Sequence, residues 1–206
     1  MSTRNDSAKN PIETNLVSIG FLLSGGGRTL ENLLQAIQEQ SIPAKVQLVV
    51  ASKSGIGGID KASAAGIPCQ VHPCKTVEDS AAIFSALEEA GCRYAILGGW
   101  LRKLLIPQNW ENRVINIHPS LLPLHGGQGC YGDRVHRRVL EARDTQSGCT
   151  VHFVDNDYDR GPIILQEQVP VLKGDDVASL GQRVFEAEKT ALPKAVAALV
   201  KGDLNP

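Results

Sequence analysis

The sequence predicts an α/β fold with a largely parallel sheet. Two patterns carry that reading: short apolar runs of strand length alternate with segments of helical period, and the first apolar run flows through a glycine-rich turn straight into a helix. A third observation sets the scale. The chain has 206 residues, 42% hydrophobic and 21% charged, which suits one compact unit with a single core.

Taken in order, residues 16–23 (LVSIGFLL) form an apolar run that ends in SGGG. Leu30, Leu33, Leu34 and Ile37 then recur at helix spacing. Residues 46–51 are valine-rich and read as a buried strand. A GIGG turn at 55–58 leads to a short Ala-rich helix, and 67–71 is a further strand. A helix follows over 77–90, with Thr76 as expected N-cap and Asp79 in the acid position of a capping box. Strands are expected at 94–97 and 114–117, and a helix at 131–142. Residues 149–154 and 163–169 make a closing strand pair that has room to run antiparallel. The last helix spans 177–200, with Pro193 expected to bend or divide it. Residues 1–14 read as a loose polar arm and 15–206 as one domain; the sequence shows no internal repeat.

Charge and cysteine usage narrow the class. The net charge of −1 offers no general attraction to nucleic acid or to an acidic membrane. No apolar run approaches the roughly 18–20 residues of a membrane span, and the polar N-terminus lacks the apolar centre of a signal peptide. The five cysteines (69, 74, 92, 130 and 149) are odd in number and never spaced CxxC. That favours free thiols and a cytoplasmic setting, and argues against structural zinc.

In parallel sheets ligands bind beyond the carboxyl ends of the strands. Three unusual segments fall at such ends: SGGGRT (24–29), GGWLRK (98–103) and NIHPSLLP (116–123). Glycines before a helix expose backbone N–H groups to an anion, and Arg28 can add a phosphate contact. The pattern is neither GxGxxG nor a P-loop. Asn116 and His118 share a side-chain direction on extended backbone, and Pro119 keeps His118 out of helical geometry. An amide and an imidazole aimed at one spot can stabilise an oxyanion and shuttle a proton. A carboxylate beside the histidine would favour its charged form. VDNDYDRG (154–161) offers Asp155, Asp157 and Asp159, and spacing does not say which faces His118. His136 and His152, in a helix and a strand, read as structural. No HExxH or compact ligand set suggests a metal, and Ser24 and Ser120 lack the GxSxG elbow of a serine hydrolase.

NIHPSLLP, the glycine-rich loop after it, and SGCTVHFVDNDYDRGPII together resemble the phosphoribosylglycinamide formyltransferase family, over roughly residues 17–200. The resemblance implies a Rossmann-like formyltransferase fold with helices on both faces of the sheet. It implies transfer of the formyl group of 10-formyltetrahydrofolate to the amine of 5′-phosphoribosylglycinamide in purine biosynthesis, without metal or covalent enzyme intermediate. By motif it assigns Asn116, His118 and Asp159 to catalysis, with His118 protonated. Gly25, Gly26, Gly27, Arg28, Thr29 and Glu188 fall to the ribonucleotide. Leu101, Arg102, Lys103, Leu104, Asn116, Val154, Asp155 and Asp157 fall to the folate. The partners implied are small molecules only.

The chain departs from the family pattern at three places. The family's SGxGSNL is SGGGRTL here, its Glu-His is Glu188-Lys189, and its folate-contacting Arg near 76–83 is missing, with Lys75 the nearest cation. The loop 124–136 is longer than in the shorter family members and glycine-rich, which suits either a mobile cover over the phosphate or a plain surface loop. Rival readings are a formyltransferase acting on an amino-sugar nucleotide, a formyltetrahydrofolate hydrolase, and a non-catalytic nucleotide-binding module. An intact Asn116, His118 and Asp159 set disfavours the last.

Overall fold

Seven strands make one sheet in the order β3-β2-β1-β4-β5-β6-β7 in the computed structural model, which describes residues 16–204. The arm expected over residues 1–14 lies outside the described residues. In chain order the elements are β1 (Val17–Leu23), α1 (Arg28–Glu39), β2 (Ala44–Ala51), α2 (Gly57–Ala64), β3 (Cys69–Val71) and α3 (Ser80–Glu89). They continue with β4 (Tyr94–Leu97), a 3-10 turn (Gln108–Trp110), β5 (Val114–His118), α4 (Asp133–Ala142), β6 (Gln146–Phe153), β7 (Ile163–Pro170) and α5 (Val177–Lys201).

The strands β1 to β5 pair parallel, and β5–β6 and β6–β7 pair antiparallel. The closing pair therefore runs as the sequence allowed, and the short connection 154–162 suffices for it. Strand order reverses between β1 and β4, the kind of place where an open α/β sheet leaves a crevice.

Cores fill both faces. On one, Ile19, Phe21 and Leu23 of β1 meet Leu30 and Leu33 of α1, Val139 of α4, and Leu180, Val184 and Leu192 of α5. On the other, Leu22 meets Ile83, Phe84 and Leu87 of α3, together with Trp100, Ile106 and Trp110 from the β4–β5 connection. Burial on both faces explains why β1 reads as a largely apolar run, broken only at Ser18 and Gly20. At Gly20 a Cβ would come 2.1 Å from Leu87 Cδ2, so α3 packs closely over that position.

Four details differ from the sequence expectation. α3 begins at Ser80 and Thr76 does not cap it; instead Asp79 Oδ2 accepts from the N–H groups of Lys75 and Thr76, closing a turn before the helix. β3 is shorter at its start because Pro68 has no N–H to give, although its carbonyl accepts from Val49. β6 is longer, since Gln146, Ser147 and Gly148 pair with Pro170, Val169 and Gln168; the ladder with β7 overrides their weak strand preference. Pro193 does not divide α5, which stays a single helix of 25 residues. A proline there leaves the carbonyl four residues earlier without its helical donor. That carbonyl, of Lys189, accepts instead from Asn32 Nδ2 of α1 at 3.3 Å.

Candidate active site

The three strand-end segments meet. A cavity of about 710 Å³ opens beyond the carboxyl ends of β1, β4 and β5, and α5 and the loop before α4 complete its walls. Every residue that the resemblance assigned to catalysis, ribonucleotide or folate lines it.

One end of the cavity is built on α1. Gly27 is its N-cap residue with φ 73, and no side chain caps the helix. The left-handed conformation favours glycine, and a Cβ at Gly27 would stand 2.7 Å from the Gly58 Cα. The first N–H groups of α1 therefore face the cavity without a side-chain cap. Arg28 opens the helix and lays its guanidinium 4.1 Å over the ring of Phe185 on α5. Glu188, one turn on, faces the same space. Burial pushes its carboxyl up to about 7, and Arg28 opposes that only in part.

At the other end, residues 101–104 face the turn that follows β6. Leu101 N–H donates to Ser24 Oγ at 3.0 Å, which ties the β4 segment to the β1 segment. Lys103 Nζ donates to the Asn156 carbonyl and lies 4.3 Å from the Tyr158 ring. Asn156 Oδ1 accepts from Ile106 N–H at 2.8 Å. Asp155 Oδ1 caps the turn through Asp157 N–H at 2.9 Å. Asp155 and Asp157 are exposed, whereas the Asp159 side chain is only 13% exposed and turns inward. That contrast separates the three aspartates, which spacing alone had left equivalent.

The polar centre lies between the two ends. On β5, Ile115 and Ile117 go to one core and Val114 to the other, so Asn116 and His118 stand together on Val114's side. His118 is 4% exposed. Its Nε2 donates to the His125 carbonyl at 3.1 Å. Its Nδ1 faces Asp159 Oδ2 at 3.6 Å. Asp159 Oδ1 lies 3.6 Å from His152 Nε2, and Asp159 Oδ2 accepts from Gly127 N–H at 2.9 Å. The two 3.6 Å separations are electrostatic contacts rather than hydrogen bonds.

His152, read from sequence as structural, lines the cavity and contacts two of the residues assigned by motif. It is Asn116's direct partner across the antiparallel β5–β6 ladder. Its Nδ1–H donates to the Phe153 carbonyl at 2.7 Å, which leaves Nε2 to accept from Asn116 Nδ2 at 3.1 Å. His136 also lines the cavity, from α4, and its Nδ1 is buried without a protein partner. Only an antiparallel register would have exposed His152 in the sequence. Phe185 lies three residues before Glu188, on the same face of α5, and was equally readable as core.

The electrostatics change one expectation. A carboxylate beside His118 was expected to keep it charged. Burial dominates instead and holds the imidazole below its ordinary value; Asp159 and the His125 carbonyl oppose this, and His152 adds to it. The His125 carbonyl fixes a proton on Nε2, and Nδ1 is the nitrogen turned toward Asp159. For Asp159, burial raises the pKa, but His152, His118 and the Gly127 N–H outweigh it and keep the carboxyl below its ordinary value. The imidazole of His118 thus stands beside a carboxylate held in its charged form. Among the described residues, no group of three His, Cys, Asp or Glu is arranged to hold a metal ion, and no helix is long and apolar enough to cross a membrane.

Residues 17–196 match the formyl transferase family model. The human trifunctional purine biosynthetic protein adenosine-3 is 40% identical over 193 residues, covering 91% of this chain and 19% of that protein. The chloroplastic phosphoribosylglycinamide formyltransferase of Arabidopsis thaliana is 35% identical over 190 residues, covering 88% of this chain and 64% of that protein. The chain thus spans 14% to 19% of the length of the trifunctional relatives. Among solved structures, glycinamide ribonucleotide transformylase 1 from Symbiobacterium toebii superposes with a TM-score of 0.85 at 33% identity, covering 97% of this chain and 95% of that one.

Proposed function

The chain belongs to the formyl transferase family, and we propose that it moves the formyl group of a folate-derived donor, 10-formyltetrahydrofolate, to the amine of 5′-phosphoribosylglycinamide. One observation carries this reading. Asn116, His118 and Asp159 line the same cavity as the α1 N-terminus and the turn after β6, two segments that suit two different substrates. The names of the relatives, all of purine biosynthesis or of phosphoribosylglycinamide formyl transfer, support the choice of acceptor.

In this reading the open N-terminus of α1 and Arg28 receive the acceptor's phosphate, with Gly25, Gly26, Gly27 and Thr29 supplying backbone donors and close approach. Glu188 accepts from polar groups of the same substrate. The donor's ring system lies against Leu101, Arg102, Lys103, Leu104 and the turn of Val154, Asp155 and Asp157. The two substrates then meet at Asn116.

The chemistry follows from the atoms there. The acceptor amine attacks the formyl carbon, and negative charge develops on the formyl oxygen. An amide NH₂ has two donors; His152 takes one from Asn116, and the second is free for that oxygen. The attacking nitrogen becomes acidic and releases a proton, which the Nδ1 lone pair of His118 can take. Asp159 stabilises the imidazolium so formed. The proton then goes to the departing donor nitrogen, so His118 ends as it began.

The test is formyl transfer by the purified protein with 10-formyltetrahydrofolate and 5′-phosphoribosylglycinamide. A no-acceptor control and an amino-sugar nucleotide run in parallel. Saturable transfer to the ribonucleotide, lost in His118→Ala, is expected. Transfer only to the amino sugar, or formate release without acceptor, would overturn the proposed acceptor.

A further inference from the structure

We infer that His125 and Asp144 are positioning residues for His118: their side-chain pair fixes the stretch 125–127, whose backbone holds both His118 and Asp159. The inference rests on the formyl-transfer reading, because it concerns the same two catalytic groups.

The stretch touches the pair twice. The His125 carbonyl accepts from His118 Nε2 at 3.1 Å, and Gly127 N–H donates to Asp159 Oδ2 at 2.9 Å. Between them Gly126 passes so close that a Cβ would meet Leu122 Cδ2 at 2.5 Å and Asp159 Cβ at 3.3 Å. Three consecutive residues therefore set where the imidazole and the carboxylate stand relative to each other.

Something must hold that stretch, because Gly126, Gly127 and Gly129 give it little stiffness of its own. Upstream, Ser120 Oγ donates to the Leu124 carbonyl at 2.6 Å, and Leu124 N–H donates to the Leu121 carbonyl at 3.1 Å. At His125 the backbone adopts φ 55, a left-handed conformation unfavourable for a side chain larger than glycine. A compensating contact is present. His125 Nε2 lies 2.6 Å from Asp144 Oδ2. Asp144 follows the left-handed C-cap residue Arg143 of α4, and its N–H donates to the Val139 carbonyl at 3.2 Å, so its backbone is tied to a helix end. The anchor fixes the plane of the His125 peptide, and with it the direction of the carbonyl that His118 needs.

Neither His125 nor Asp144 lines the cavity, so the pair acts through the backbone and not on substrate. Its chemical effect is on the tautomer. An acceptor at Nε2 keeps the proton there and leaves Nδ1 as the nitrogen that takes up a proton beside Asp159. If the carbonyl is free to swing, the two neutral tautomers compete, and only one has its lone pair in place.

The test is nitrogen-15 NMR of the His118 ring in the full chain, with kinetics beside it. Wild type is expected to show a single neutral tautomer protonated at Nε2. Asp144→Ala is expected to mix the two tautomers and to lower kcat about tenfold, with KM for both substrates within about twofold. His125→Asn, which tolerates the left-handed backbone, guards against a variant that merely fails to fold. Asp144→Glu, which can still reach His125, is expected to restore the single tautomer and most of kcat. An unchanged His118 spectrum and kcat in a folded Asp144→Ala would overturn the inference. A tautomer shift in a protein whose wild type transfers no formyl group would support the positioning pair and overturn the proposed function instead.

Discussion

Asn116 and His152 stand directly opposite one another where β5 meets β6, and the amide Nδ2 lies 3.1 Å from the imidazole Nε2. The antiparallel turn of the sheet is thus what gives Asn116 a partner that orients its amide.

His152→Leu should therefore cost turnover without costing the fold. The leucine fills the buried site but cannot accept from Asn116, so the amide rotates away from the formyl oxygen. About a tenfold fall in kcat is expected, equivalent to roughly 1.4 kcal/mol, with little change in KM for the donor. A kcat equal to wild type would show that Asn116 needs no such partner.

Asp159→Asn should lower turnover by roughly two orders of magnitude while leaving donor affinity near wild type, because Asp159 acts on the charge of His118. The pH dependence has a definite sign. His118 must be neutral to take a proton, so kcat/KM falls as pH drops through its pKa, which burial already lowers. Asp159 opposes that lowering, and its loss should move the acid limb to still lower pH. A limb that moves upward would contradict the assignment.

Glu188 makes a stability prediction with its own sign. The folded protein holds its proton up to about pH 7, whereas the unfolded chain releases it near 4.5. The unfolded state is therefore favoured increasingly as pH rises from 4.5 to 7, and the penalty is complete above that. Glu188→Gln should raise Tm at pH 8 by roughly 2–4 °C, the effect of about 1 kcal/mol in a domain of this size, and should do nothing near pH 4.5. Thermal unfolding at the two pH values reads this directly. His118 contributes oppositely, since its lowered pKa weakens the fold as pH falls through the ordinary histidine value of 6.5.

Arg28→Ala should act on the acceptor alone. Its guanidinium lies over Phe185 at the α1 end of the cavity, away from the turn at 154–159. A rise of about tenfold in acceptor KM is expected from loss of a charge-assisted phosphate contact, with donor KM unmoved. Steady-state kinetics with each substrate varied in turn separates the two.

Asn32 should matter only because of Pro193. It donates to the Lys189 carbonyl that the proline leaves without a helical donor. Asn32→Ala is expected to cost about 1 kcal/mol in wild type and close to nothing in Pro193→Ala, where the helix supplies the donor itself. Equal costs in the two backgrounds, measured by denaturant unfolding, would break the link.

Much of this was legible along the chain. Apolar runs alternating with helical segments determined the order of elements, because burial on two faces or on one stripe leaves its own period. The two-residue spacing of Asn116 and His118 put them on one side of a strand, and strand-end glycines marked where a cavity opens. These are local properties of backbone geometry. The tertiary structure alone decided the rest. It turned Asp159 inward and left Asp155 and Asp157 exposed, a contrast that residue spacing does not contain although the motif resemblance had already singled out Asp159. It brought His152 to Asn116 through a register between strands 36 residues apart. It carried the helix through Pro193 by lending it Asn32. It also reversed the balance on His118, where desolvation outweighs the neighbouring carboxylate. Burial and cross-strand register are properties of the packed chain as a whole, so no short stretch of sequence contains them.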